Sequence, residues 1–359
     1  MGSTGDGSRP GRRAACGLLL AAGAAARAGA QSAPRPLEVE ARIPLGDVAG
    51  RIDHLAADVA RRRVFVAELG NDTVGVVDLA TGRVTQRLRG LHEPQGIAWL
   101  PEAELLLVAN GGDGTVHRYA GADLRPLGAI PLGRDADNLR LDPAGGGLVW
   151  VGHGGGPVFG LLPGAAALTA LASASGQPSG ASIPLPAHPE GFQLEANGPR
   201  AFVNLPRAGG SVAVLDRIAR RQIGSWSVPG LGSNYPMALD EAGGRLFVGY
   251  RDPAALAVLD LDGGGLLGRL PLGGDTDDLF HDARRRRLYA ICGEGTVDVF
   301  EDPSASGAAA RLPRLLARAP TVAGARTGLF VPALDRLCVA VRAAQGAAAA
   351  LWVFRPEPT

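Results

Sequence analysis

Seven polar side chains recur along the chain at intervals of 42 to 53 residues: Asp53, Gln95, Asp137, Glu190, Tyr235, Asp277 and Arg326. Each stands five positions before a matching site, at Asp58, Leu100, Asp142, Glu195, Asp240, Asp282 and Val331. All seven can hydrogen-bond and four are carboxylates. The residues that follow them are His54, Gly96, Asn138, Gly191, Pro236, Asp278 and Thr327. Carboxylates crowded round one narrow opening repel one another unless a cation or a guanidinium offsets them. Two readings fit. The set forms a polar pocket for a cation or a small polar molecule, with Arg326 orienting an anionic group. Alternatively, each Asp caps a turn and bonds its own backbone. The candidate ligand-binding residues are Asp53, His54, Gln95, Asp137, Asn138, Glu190, Tyr235, Asp277, Asp278 and Arg326.

A metal site needs several oxygen or imidazole ligands that converge. Asp53, His54, Asp137, Asn138, Glu190, Asp277 and Asp278 supply such atoms, and carboxylate and amide oxygens suit a divalent cation such as calcium. No EF-hand loop is present, and neither His-x-His nor Cys-x-x-Cys spacing marks a zinc site. His92 and His188 each precede a Glu and read as partly exposed loop histidines. The run Arg284 to Arg287 reads as a solvated face. Asn110-Gly111-Gly112-Asp113-Gly114 is a tight hairpin turn rather than a phosphate loop, since no helix follows it. No Gly-x-Ser-x-Gly elbow in a strand-turn-helix setting and no heme-attachment motif occurs, so no catalytic residue is assigned.

The spacing comes from an internal repeat. Its clearest copy runs Ile52 to Asp58, then Arg63 to Ala67, Thr73 to Asp78 and Thr81 to Val84. Positions equivalent to Val66 recur at Val108, Val151, Val203, Val248, Ala290 and Val339, with spacings of 42, 43, 52, 45, 42 and 49. Third strands are expected at Thr115-Val116, Pro157-Val158, Ser211 to Val214, Ala257 to Asp260, Thr296 to Val299 and Leu351 to Val353. Four short strands in each unit of about 40–50 residues define the blade of a β-propeller. The fold is therefore all-β: seven four-stranded antiparallel blades, a WD40-like ring. The seventh unit ends without a fourth strand, and Leu37 to Ile43 supplies it, so the N-terminal strand closes the ring. Gly160 to Gly180, rich in Ala, Ser and Gly, reads as a loop between strands. The strand-exit positions on the pocket's face are Glu68, Asn110, His153, Leu205, Tyr250, Cys292 and Val341.

The units resemble the YVTN-type β-propeller repeat, and their order resembles its YncE-like exported bacterial members. The resemblance covers about residues 37–355 and rests on Phe65-Val66-Ala67, Asp78-Leu79-Ala80-Thr81-Gly82, Phe202-Val203-Asn204 and Leu246-Phe247-Val248-Gly249. Gly274 to Phe280 and Gly324 to Thr327 add to it. It implies the propeller fold and leaves the activity open.

Composition sets limits. The 359 residues include no Lys, and the formal net charge is +1. Residues 1–30, with Arg9, Arg12, Arg13 and Arg27 against Asp6, account for +3, so a chain lacking them carries −2. A nucleic-acid partner, which needs a dense basic face, is excluded. Arg12 and Arg13, the apolar stretch Ala14 to Ala26 and the small-x-small site Ala28-Gly29-Ala30 read as a secretory signal. Two domains follow: a signal peptide over 1–30 and one propeller over 31–359. The expected location is periplasmic or secreted, with no membrane span after removal of the signal. Cys292 and Cys338 then remain as two isolated buried thiols. The expected function is that of an exported binding or scaffold protein. Its partner would be a small polar ligand, a cell-envelope component or another protein. The alternative is a divalent-metal-assisted lactonase or lyase on the same carboxylates, with a carboxylate or His54 as general base.

Overall fold

The computed structural model describes residues 1–2, 36–154, 166–303, 312–344 and 346–358. The expected signal segment, Pro157 and Val158 lie outside the described residues. Among the described residues from 36 onward, the strands form seven four-stranded antiparallel sheets. The chain therefore folds as a seven-bladed β-propeller.

Blade one shows why the repeat folds as it does. It comprises Leu55–Asp58, Arg63–Glu68, Thr73–Asp78 and Arg83–Leu88, paired in chain order. The two middle strands are buried on both faces, which explains near-continuous apolar runs such as Val64 to Ala67. Their two faces feed separate inter-blade layers. Val66 packs towards blade seven with Ile43, Cys338 and Leu351. Phe65 packs towards blade two with Trp99, Leu106 and Val108. The outer strand Arg83–Leu88 is mostly exposed and alternates accordingly.

The far end of the innermost strand explains the repeated spacing of acids at its tip within the chain. Asp58, Asp240 and Asp282 each accept a backbone N–H three residues on, from Arg61, Gly243 and Arg285. Asp142 accepts the backbone N–H two residues on, from Ala144, and also takes the indole N–H of Trp150. Arginines then cross between blades at this end: Arg217 to Asp142, Arg245 to Asp302 and Arg285 to Asp335.

Ring closure follows the expected register. Blade seven is ordered Leu37–Gly46, Ala349–Pro356, Arg336–Val341, Gly328–Val331 from outside in. The N-terminal strand pairs antiparallel with Ala349–Pro356, from Leu37 opposite Pro356 to Gly46 opposite Ala349. Leu37, Ile43 and Leu45 are buried by it, each contributing about 1.5–3 kcal/mol as an upper bound.

Two sequence expectations need correction. Among the described residues, the third strand of blade three is Ala166–Ala172, which occupies the middle of the expected Gly160–Gly180 loop. Six of its seven residues are buried. Small side chains suit a strand squeezed between neighbouring blades, and their composition imitates a loop. The arginine run is not a uniformly solvated face either. Arg285 and Arg287 are buried: Arg285 pairs with Asp282 and Asp335, while Arg287 donates to the carbonyl of Glu357. Arg285 lies in the turn between the two strands, where Asp282 and Asp335 draw it inward, and Arg287 opens the following strand. Cys292 and Cys338 are free and buried, as expected.

Removing residues 1–46 should lower the melting temperature by more than about 5 °C relative to a chain starting at residue 31, because blade seven then exposes an unpaired edge and loses its buried apolar face. Unchanged melting of the truncated chain contradicts closure by this strand.

Candidate functional site

The lead-in to each innermost strand is fastened by backbone bonds, so its side chains project over one end of the central channel. In blades one, three and four, the N–H groups of Asp53, Asp137 and Glu190 donate to the carbonyls of Ala67, Gly152 and Asn204 at 2.8, 2.9 and 3.0 Å. Return bonds run from the N–H groups of Ala67, Gly152 and Asn204 to the carbonyls of His54, Asn138 and Gly191. In blades two, five and six, the register breaks between Pro94 and Ile97, Asn234 and Met237, and Thr276 and Asp278. Gln95, Tyr235 and Asp277 sit in these bulges, which re-aim a side chain out of the sheet. Gly96 and Gly191 are required by the neighbouring blade. A Cβ there would lie 2.1 Å from the carbonyl oxygen of Asp137 and 2.4 Å from that of Tyr235.

The result is a cavity of about 220 Å³ at the channel mouth. Of the ten expected residues, Asp53, His54, Gln95, Asp137, Glu190, Tyr235, Asp277 and Arg326 line it. Every blade contributes. Asn138 and Asp278 lie one step deeper, on a second cavity of about 290 Å³ inside the channel. That cavity is walled by the innermost strands, through Ala56, Ala98, Arg140, Gln193, Met237, Phe280 and Leu329. His54, Glu190, Tyr235 and Asp277 border both cavities. The strand-exit residues do not join the mouth. Glu68 is wholly buried against Arg87 and Thr73, and His153 bonds Thr169 inside blade three.

The mouth has two electrostatic halves. On one side, Asp277 is held by Arg326 at 2.9 Å and by Arg251 at 2.5 Å. Both arginines also reach Asp275, and Arg251 stacks on the ring of Tyr235, 3.7 Å from its centre. Arg326 is therefore committed to carboxylates, which corrects its expected role of orienting an anionic group. Arg207 also lines the mouth and makes no ion pair among the described residues.

On the other side, negative charge is poorly offset. Burial pushes Asp137 up to about 7; His54 pulls the other way, while Asp53, Asp135 and Asp277 push it further up. Burial also pushes Glu190 up to about 9, reinforced by Asp137, Asp277, Asp135 and Asp53. His188 is only 9% exposed, and burial lowers its pKa despite Asp135, which favours the neutral ring. Its Nε2 lies 3.5 Å from Asp135 and 4.0 Å from Glu190. His188 is thus a mouth residue rather than a partly exposed loop histidine, whereas His92 is exposed as expected.

His54 stands between the halves. Its ring is 3.6 Å from Asp53, 3.8 Å from Asp137 and 3.7 Å from Asp278. Burial opposes its charge, but contact with Asp278 and the charges of Asp53 and Asp137 outweigh it and raise the pKa to about 10. It holds its proton at neutral pH, which corrects its expected role as a general base. Sequence reading missed Arg51, Asp135, His188, Arg207 and Arg251, which also line the mouth. Asp135 and His188 stand two residues before Asp137 and Glu190, so the lead-in signal extended one alternation further back.

No protein-family model matches the chain, and no curated protein matches it by sequence. Solved structures share the fold. A chain of Kuenenia stuttgartiensis hydrazine synthase is similar at TM-score 0.69 and 17% identity, covering 82% of this chain and 93% of that one. The RRP9 WD40 repeats are similar at TM-score 0.71 and 12% identity, covering 90% and 98%. A chain of the mitotic checkpoint complex is similar at TM-score 0.67 and 13% identity, covering 95% and 98%. These likenesses define a seven-bladed propeller of the WD40-like class and carry no function across.

The raised acids give a pH dependence. Glu190 titrates higher in the folded chain than the ordinary carboxyl, so the folded state keeps a proton that the unfolded state sheds above about pH 4. Its contribution to stability therefore falls as pH rises from about 4 towards 9. Glu190→Gln removes that loss and should raise the melting temperature at pH 8 by about 2–4 °C in chelator-treated buffer, with no gain at pH 4. An unchanged or lower value at pH 8 contradicts the crowding of charge at the mouth.

Proposed function

We propose that this chain is an exported binding protein of the periplasm or extracellular space, a YncE-like member of the YVTN-type propellers. In this reading it captures a small polar ligand at its channel mouth. The observation that carries the reading is the convergence of polar side chains from all seven blades on one cavity of about 220 Å³. Folding alone does not need this arrangement. Buried carboxylates with pKa values pushed to about 7 and about 9 weaken the fold at neutral pH, and such a cost concentrates at binding sites. The Asp277–Arg251–Arg326 side is neutralised and rigid, fit to shape the pocket. The Asp137–Glu190 side invites positive charge, and Arg207 at the rim offers a guanidinium to an anionic group.

The described residues contain no helix long and apolar enough to cross a membrane. A scaffold role towards a cell-envelope component or a protein partner uses the same face. The lactonase or lyase alternative would need a base other than His54, which is already protonated.

The test is a melting-temperature screen in chelator-treated buffer against sugars, amino acids, dicarboxylates and polyamines at millimolar concentration. At least one class should raise the melting point, since a ligand at about 100 times its Kd adds about 2.7 kcal/mol. The paired substitutions Tyr235→Ala and Arg207→Ala should remove the gain. No shift with any compound, or a shift that survives both substitutions, counts against a ligand at the mouth.

Export is tested separately. Protein recovered from outside the bacterial cytoplasm should begin near Gln31 by mass analysis, and an intact Met1 terminus there contradicts the signal segment.

A further inference from the structure

Three side chains at the mouth bring metal-ligand atoms together. One atom each from Asp137, His188 and Glu190 lies within 4.8 Å of the others. They come from blades three and four, from lead-ins fastened by the backbone bonds described above. Metal bonds of about 2.0–2.2 Å in a tetrahedral set place ligand atoms about 3.4 Å apart, so a closure of at most about 1.4 Å would bring the three atoms to bonding geometry.

A second observation is independent of that spacing. Asp137 is only 5% exposed, lines the cavity, and its Oδ1 has no hydrogen-bond partner. Leaving a buried polar atom without a partner costs about 1–3 kcal/mol, and more for a charged group. The nearest cation is His54, at 3.8 Å beyond hydrogen-bond reach. The His188 ring is nine-tenths buried with Nδ1 also unpartnered, so its position is set by packing and not by a protein bond.

We propose that Asp137, His188 and Glu190 bind a divalent first-row transition-metal ion at the channel mouth. This rests on the reading of the mouth as a ligand pocket and names the ligand's chemistry. Imidazole nitrogen with two carboxylates suits zinc or its neighbours, whereas calcium takes oxygen ligands in larger number. That departs from the calcium expected from sequence, and the difference is His188. Three protein ligands leave a position open for water or a polar molecule from solvent. Asp135, 3.5 Å from His188 Nε2, adds further negative charge at the opening.

The molecule holds a contrasting cluster. Ligand atoms of Asp240, His281 and Asp302 also lie within 4.8 Å of one another. There Arg245 already bridges the two acids, at 2.5 Å to Asp240 and 2.6 Å to Asp302. A guanidinium fills the place a cation would take, and Asp302 is held well below the ordinary carboxylate range. At the mouth no arginine bridges Asp137 and Glu190 among the described residues.

The experiment uses the full, tag-free chain, stripped with chelator and titrated with zinc chloride alone by calorimetry. Metal content is then counted by mass spectrometry after gel filtration. One zinc per chain is expected, with calcium chloride binding more weakly. His188→Ala and Glu190→Gln should each weaken zinc binding by at least about 100-fold, and His281→Ala should leave it unchanged. Glu190→Gln is expected to fold at least as stably as the parent, so a loss of zinc there reports the site. No retained zinc, zinc bound equally by both mouth variants, or zinc lost in His281→Ala each overturns the proposal. If zinc fails while an organic compound shifts the melting point, the pocket reading stands and the cation does not. If both fail, both fall.

Discussion

Everything at the mouth depends on one pairing, that of Leu37–Gly46 with Ala349–Pro356. A propeller blade leaves apolar faces that only a neighbouring blade can cover, and the ring covers them all only if its ends meet. Closure fixes the blade count, and the blade count fixes the width of the opening. Asp53 and Asp277, far apart in the chain, line one cavity because blades one and six are two steps apart round the closed ring. At the opposite end, buried arginine–carboxylate pairs join blades three to four, five to six and six to seven. Such pairs add little net stability and much geometric specificity.

The two ends of the channel treat carboxylates differently, and that contrast underlies the proposal of a binding site at the mouth. At the far end each acid caps its own turn and finds an arginine. At the mouth, Asp277 is treated in that way by Arg251 and Arg326, and Asp53 by Arg51. Asp137 and Glu190 face a cavity and titrate far above the usual range. The same residue type thus finds local partners at one end and lacks them at the other.

The blade count, the closing strand and eight of the mouth residues were legible in the sequence, because a repeat of short strands fixes register and register fixes position. Two things were not legible. Ala166–Ala172 is a strand because neighbouring blades bury it, and small side chains carry no strand signal of their own. The partners of Arg326 and the environment of His188 depend on contacts between blades that no local pattern encodes. Arg326 matched the expected position and not the expected role, since Asp275 and Asp277 reach it from the adjoining blade. His54 likewise gained three carboxylates from three blades, which turned a candidate base into a resident cation.

The most direct test is X-ray diffraction from crystals grown with one equivalent of zinc, recorded on both sides of the zinc absorption edge. The account predicts a single anomalous peak at the channel mouth, within bonding distance of Asp137, His188 and Glu190. A mouth without a peak, or a peak confined to Asp240, His281 and Asp302, would contradict it.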